Sequence, residues 1–297
     1  MSRESIRAGI IAFAAADAFG APWEGAAPER LREADLATVP RRENWPRGAT
    51  SDDTAQLILT ARLLCSGEED LQRGFMELLA ADFPRMRGAG PTTTAAVRRW
   101  QESGRLGASG GETNGAAMRA LPIGWGSPGA DAEGRRSRVL SISRATHGGD
   151  GALIAAGTVA AMGSWALDRV SPAGICERAV AEATALRSYL ESEADLATLR
   201  AAAHGGWTPP AAGVSLDAIE TVAAVLHVLR RSQGLGDAVE AAVRLGGDTD
   251  TVAAIAAGIL AAGGCDPVRE LPWLGLVRLP DASLIEALAS GLDERRG

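Results

Sequence analysis

The stretch Gly246-Gly247-Asp248-Thr249-Asp250-Thr251 constrains the chain most, because it runs unbroken into an apolar helical pattern, Val252-Ala253-Ala254-Ile255-Ala256-Ala257-Gly258-Ile259-Leu260. Glycine permits a tight turn and a close approach of backbone to a ligand. Aspartate carboxylates and threonine hydroxyls are ligands for hard cations. Residues two apart point away from each other on a continuous helix. Asp248 and Asp250 therefore converge only where the chain is still turning into the helix. A capped helix N-terminus with one extra acid accounts for the same residues.

The rest of the chain points to packed helices. Aromatic residues make up 4% of the 297 residues and hydrophobic residues 46%, so the core is built mainly from Ala, Leu, Val and Ile. Alanine is the best helix former and is depleted in strands. Apolar periodicity predicts helices at about 4–19, 54–64, 68–82, 92–102, 135–145, 150–167, 172–191, 217–231, 235–245, up to about 262, and 282–291. A short helical stretch, 116–121, stops at Pro122, and 192–216 reads as irregular. No stretch alternates like a strand, and no linker divides the chain. The expectation is all-α: one compact domain over 1–297. The run Ala8–Ala16 behind Arg3 and Arg7 loosely imitates a signal peptide, but Glu4 and Asp17 interrupt it, and it reads as the first core helix. No stretch reads as a membrane span.

Charge and cysteine usage remove several functions. A net charge of -7 disfavours a general nucleic-acid binder. All 30 basic residues are arginine, which excludes a P-loop lysine, a Schiff-base lysine and a Ser-Lys dyad. Cys65, Cys176 and Cys265 show no zinc spacing, and fit a reducing, cytoplasmic setting as buried thiols.

A second acidic cluster, Ser51-Asp52-Asp53-Thr54, also opens an apolar helix. Brought together across a core, the four carboxylates would repel, and like charges in one site either raise a pKa or call for a cation. Two hard divalent cations resolve the repulsion. With no Cys or His in either cluster, Mg2+ or Mn2+ fits better than zinc. Two unrelated capped helices remain the plain alternative.

Several blocks, in order, resemble the ADP-ribosylglycohydrolases. They are Asp17-Ala18-Phe19-Gly20-Ala21-Pro22-Trp23-Glu24, Ser51-Asp52-Asp53-Thr54, Asn114-Gly115-Ala116-Ala117-Met118-Arg119, Thr146-His147 and Gly246 to Thr251. The resemblance implies an all-helical domain around a binuclear Mg2+ or Mn2+ site. It would make Ser51, Asp52, Asp53, Asp248, Asp250 and Thr251 metal ligands, with Glu24 beside them as a ligand or a gate. Gly110, Gly111, Asn114, Gly115 and Met118 would line an ADP-ribose channel, and His147 would meet the distal ribose. Two departures stand out. The loop Arg87-Gly88-Ala89-Gly90-Pro91-Thr92-Thr93 lacks the acid found in relatives that act on ADP-ribosyl-arginine. The tail has Ala262-Gly263-Gly264 instead of Tyr-Tyr-Gly, so adenine stacking would fall to another residue such as Trp23, Trp207 or Trp273.

The expected reaction is hydrolysis at the anomeric carbon of ADP-ribose, with Glu24, Asp53 and Asp248 as candidate acid or base. The expected partner is an ADP-ribosylated protein or small molecule, or a modified nucleobase, with no membrane, handled by a monomer. A non-catalytic ADP-ribose-binding or immunity protein is the second reading. An isoprenoid-type synthase is the third; it calls for Asp-x-x-x-Asp spacing and an aromatic cavity.

Overall fold

Every residue of Thr249–Ala262 is buried. A helix with no polar stripe must be enclosed by other helices, and the chain supplies them. The computed structural model describes residues 2–108 and 110–297. It contains α1 (Ser2–Gly20), α2 (Pro28–Leu31), α3 (Asp52–Cys65), α4 (Leu71–Asp82), α5 (Pro91–Ser103), α6 (Leu121–Trp125), α7 (Ala132–Ser143), α8 (Asp150–Leu167), α9 (Pro172–Tyr189), α10 (Ala197–Ala203), α11 (Ala218–Arg231), α12 (Leu235–Arg244), α13 (Thr249–Ala262), α14 (Pro267–Glu270) and α15 (Ala282–Arg296). The central pair is α1 and α13, which run along each other. α13 also touches α8, α11 and α12, while α15 closes over α1 and α3. The fold is an all-helical single domain. Among the described residues the only β-type pairings are two isolated bridges, Thr113 with Asp217 and Val214 with Gly247.

Local sequence sets most of the helix starts. Ser51, Asp70, Asp131, Ser171, Asp217 and Asp281 each accept a hydrogen bond from a backbone N–H in the first turn of the helix that follows. Such caps satisfy donors that have no partner within the helix. Asp131 explains why α7 begins at Ala132, three residues earlier than its apolar pattern suggests. Pro122 starts α6 instead of ending a helix, because a residue without an N–H is tolerated in a first turn. The segment 116–121 consequently has no α-helix of its own: Ala116 ends a single 3-10 turn, Asn114–Ala116, and Leu121 already belongs to α6. The irregular stretch 192–216 contains α10, too short to show a period.

Gly20 ends α1 with a φ of -75°, which any residue can adopt. Glycine is needed there because of close packing. A Cβ there would lie 2.5 Å from the Cα of Asp250, so α1 and the head of α13 meet backbone to backbone. Two further readings are corrected. Asp150–Leu167 is long and apolar enough to cross a membrane, but 78% of it is buried inside the fold, as a core helix. Cys65 is exposed, whereas Cys176 is buried.

Candidate active site

Two helix heads form the floor of one cavity. The head of α3 brings Ser51, Asp52 and Asp53, and the head of α13 brings Asp248, Asp250 and Thr251. All six line a cavity of about 260 Å³, together with Glu24, Asn114, Gly115 and Met118. Its remaining wall is the uncharged segment Gly88–Thr93, with Thr113 and Leu216.

The turn at Gly246-Gly247 aims the second head. Both glycines have positive φ, 70° and 71°. A Cβ on Gly247 would sit 2.0 Å from the Val214 carbonyl oxygen, so only glycine fits. Gly247 receives a bond from Gly25 N–H (2.8 Å) and donates to Ala26 O (2.9 Å), which ties the Glu24 turn to this motif. Asp248 stands at the capping position of α13, yet its side chain makes no capping bond. Its carboxylate instead accepts from the Asn114 side-chain amide, whose nitrogen also donates to Thr221 Oγ1 at 2.9 Å. Capping is therefore the role of Ser51, which accepts from Asp53 N–H at 3.1 Å, and not of Asp248.

Asp17, fully buried on α1, holds the first head. Its carboxylate accepts from Ser51 N–H (3.0 Å), Thr54 N–H (3.1 Å) and the Thr54 hydroxyl. Gln56 donates to Asp52 Oδ2 at 2.8 Å. Arg119 donates to Gln56 Oε1 at 2.8 Å and lies over the Phe75 ring at 4.3 Å. Asp17 and Arg119 belong to blocks singled out in the sequence, but their supporting roles depend on contacts 34 and 63 residues away. A lone acid in the apolar α1 is the signal that points to Asp17.

Five buried carboxylates, Asp17, Asp52, Asp53, Asp248 and Asp250, thus share one region. Burial raises the pKa of each, and for Asp52, Asp53, Asp248 and Asp250 neighbouring carboxylates raise it further. Asp52 is pushed up to about 7 and Asp248 to about 6; Asp53 and Asp250 stand well above the usual carboxylate range. Among the described residues no arginine forms an ion pair with any of the five. One oxygen of Asp53 is buried without a hydrogen-bond partner.

This donor set fits hard divalent cations: all oxygen, acidic and undercompensated. Among the described residues, however, no three His, Cys, Asp or Glu side chains gather closely enough to hold an ion alone. An ion here would also use the Ser51 and Thr251 hydroxyls and water, as Mg2+ commonly does.

The remaining predicted residues divide. Glu24 lines the mouth and accepts from Arg42 at 2.6 Å. Arg42 lies over the Trp45 ring at 4.1 Å, and Trp45 in turn packs beside Gly88. Arg42 and Trp45 sit in a segment with no periodic pattern and were not legible as site residues. Gly110, Gly111 and His147 do not line the cavity. His147 is buried behind Gly115, whose missing Cβ would meet the imidazole at 2.7 Å. Ser109, in the same glycine-rich loop, lies outside the described residues. Of the tryptophans considered for stacking, Trp273 stacks on Phe19 and Trp207 packs against His227; neither these nor Trp23 line the cavity. Among the described residues no aromatic side chain does, unlike the cavity an isoprenoid-type synthase would need.

Comparison with known proteins bears on the fold and the family. The chain is 26% identical over 310 residues to an uncharacterized protein of Archaeoglobus fulgidus, covering 98% of this chain and 96% of that one. It is similar to a solved structure described as an ADP-ribosylglycohydrolase-related protein complex, with a TM-score of 0.76 and 25% identity, covering 100% of this chain and 99% of that one. The family model for ADP-ribosylglycohydrolase matches residues 1–297, and the chain belongs to that family.

Proposed function

We propose that this protein is a divalent-metal-dependent hydrolase that cleaves the glycosidic bond at the anomeric carbon of ADP-ribose, releasing it from a modified protein, nucleobase or small molecule. The observation that carries the reading is the set of buried carboxylates on two helix heads with no arginine paired to them. Burying such charge is costly unless a cation compensates.

Ser51, Asp52, Asp53, Asp248, Asp250 and Thr251 would hold two Mg2+ or Mn2+ ions. Bound there, the ions supply a template for sugar hydroxyls and a lowered pKa for water. The chain's own residues do the rest. Asp53 and Asp248 are the candidates to move a proton to or from the reacting atoms. The Asn114 amide fixes the orientation of Asp248, and Asp17 fixes the α3 head. Glu24, tethered to Arg42, stands at the mouth where a leaving group exits. Positive charge developing on the sugar is stabilised by the acidic floor.

The test is release of free ADP-ribose from a panel of ADP-ribosylated substrates, with and without chelator, for the wild type and Asp250→Asn. The expected result is chelator-sensitive release that Asp250→Asn lowers by at least a hundredfold in excess Mn2+. Asp250→Asn activity near wild type would refute the metal-site assignment, and binding without release would refute catalysis.

A further inference from the structure

A chain of buried hydrogen bonds leads away from Arg119 in two directions, and both ends reach the cavity. One branch is short: Arg119 to Gln56 Oε1, then Gln56 Nε2 to Asp52. The other passes through the wall. Arg119 Nη2 donates to Thr146 Oγ1 at 2.7 Å. Thr146 Oγ1 lies 2.7 Å from His147 Nδ1, and His147 Nε2 lies 2.9 Å from Thr113 Oγ1. Thr113 donates to Thr92 Oγ1 at 3.0 Å. Thr113 and Thr92 both line the cavity.

The direction of this chain follows from chemistry. A guanidinium can only donate, so Thr146 receives at its oxygen; among the described residues His147 Nδ1 is the one acceptor within reach of the Thr146 hydrogen, which is otherwise left buried and unpaired. Burial, together with the nearby Arg119 charge, lowers the His147 pKa to about 3, and the ring is neutral. A neutral imidazole that accepts at Nδ1 carries its proton on Nε2. Nε2–H then donates to Thr113, and Thr113 donates to Thr92. Among the described residues the Thr92 hydrogen has no acceptor, and Thr92 is one of the residues that line the cavity. With the opposite tautomer, Nε2 would take the Thr113 hydrogen, Thr92 would donate to Thr113, and this wall would present only acceptors.

We infer that Thr92 is a substrate-binding residue, its hydroxyl held as a hydrogen-bond donor to a substrate oxygen, and that Arg119, Thr146 and His147 are positioning residues that set this polarity. The inference rests on the proposed activity for the identity of the ligand: the acceptor is a hydroxyl or phosphoryl oxygen of ADP-ribose or of its leaving group. It gives the cavity two unlike sides, an acidic floor and a neutral donor wall.

Two measurements test it. Long-range 15N–1H NMR correlation, with His147 assigned through His147→Gln, reads the tautomer in the full-length protein. Nε2–H is expected, and an Nδ1–H tautomer would overturn the inference without touching the proposed activity. Calorimetric binding of ADP-ribose in Mn2+ is then compared across Thr92→Val, Thr92→Ser and Thr146→Val. Thr92→Val is expected to raise Kd about tenfold, the effect of losing one hydrogen bond to a substrate oxygen. Thr92→Ser restores binding to within about twofold, and Thr146→Val weakens it while moving the His147 tautomer populations. Unchanged binding by Thr92→Val overturns the role of Thr92 alone. No binding of ADP-ribose by the wild type overturns the functional reading itself.

Discussion

Asp52→Asn is expected to make the metal-free protein more stable at pH 8 while weakening its response to divalent ions. Asp52 is 6% exposed, and its pKa rises from 3.8 to about 7. At about 1.4 kcal/mol per pKa unit, ionising it in the fold costs ~4 kcal/mol relative to the unfolded chain. The sign follows from proton uptake. Between the unfolded and folded pKa values the folded state binds the extra proton, so stability is complete below pH 4 and is lost as pH rises through about 7. Asparagine keeps an oxygen that accepts from Gln56 and carries no charge at any pH. Because Asp17 and Glu24 also act on Asp52, replacement relieves ~2–4 kcal/mol at pH 8, or ~3–6 °C in Tm for a domain of this size. The assay is calorimetry of chelator-treated wild type and variant from pH 5 to 8, repeated with Mn2+. Wild-type Tm should fall across this range and recover with metal, by ~2.7 kcal/mol at a hundredfold excess over Kd. The variant should start higher and recover less. A wild-type Tm that is flat or rises from pH 5 to 8, or a variant less stable than wild type at pH 8, would refute the reasoning.

Gly20→Ala is expected to destabilise the protein by ~3 kcal/mol or more, read by urea unfolding, because its Cβ would press on the Asp250 backbone rather than on a side chain that can move. Arg42→Ala should change stability by less than ~1 kcal/mol, since the pair with Glu24 is half-exposed, yet raise KM for the ADP-ribosylated substrate severalfold by freeing Glu24. In thiol titration of the native protein, Cys65 should react first and Cys176 only after unfolding, because they are exposed and buried respectively.

The all-helical fold was legible because alanine-rich periodic segments have few other ways to bury themselves, and the six floor residues because each cluster sits at a helix head. Legibility failed where tertiary contact decides. Pro122 looks like a stop from its neighbours and acts as a start. Asp248 looks like a cap, but Asn114, 134 residues away, recruits its carboxylate. His147 lies in the connection between α7 and α8, and the glycine at 115 lets its ring pack behind the cavity wall rather than in it. Arg42 and Trp45 belong to a segment with no periodicity, so only the folded chain places them at the mouth.

The floor hangs on α1 through Asp17 and Gly20, while the mouth hangs on the segment around Arg42, Trp45 and Gly88. Local opening costs least where few buried contacts hold a segment and approaches the global value in the core. The two halves of the site therefore come apart in sequence as denaturant is raised. The mouth is expected to loosen first, with the floor still assembled, and the floor to be lost only when α1 and α13 separate, an order that hydrogen exchange in rising denaturant would read.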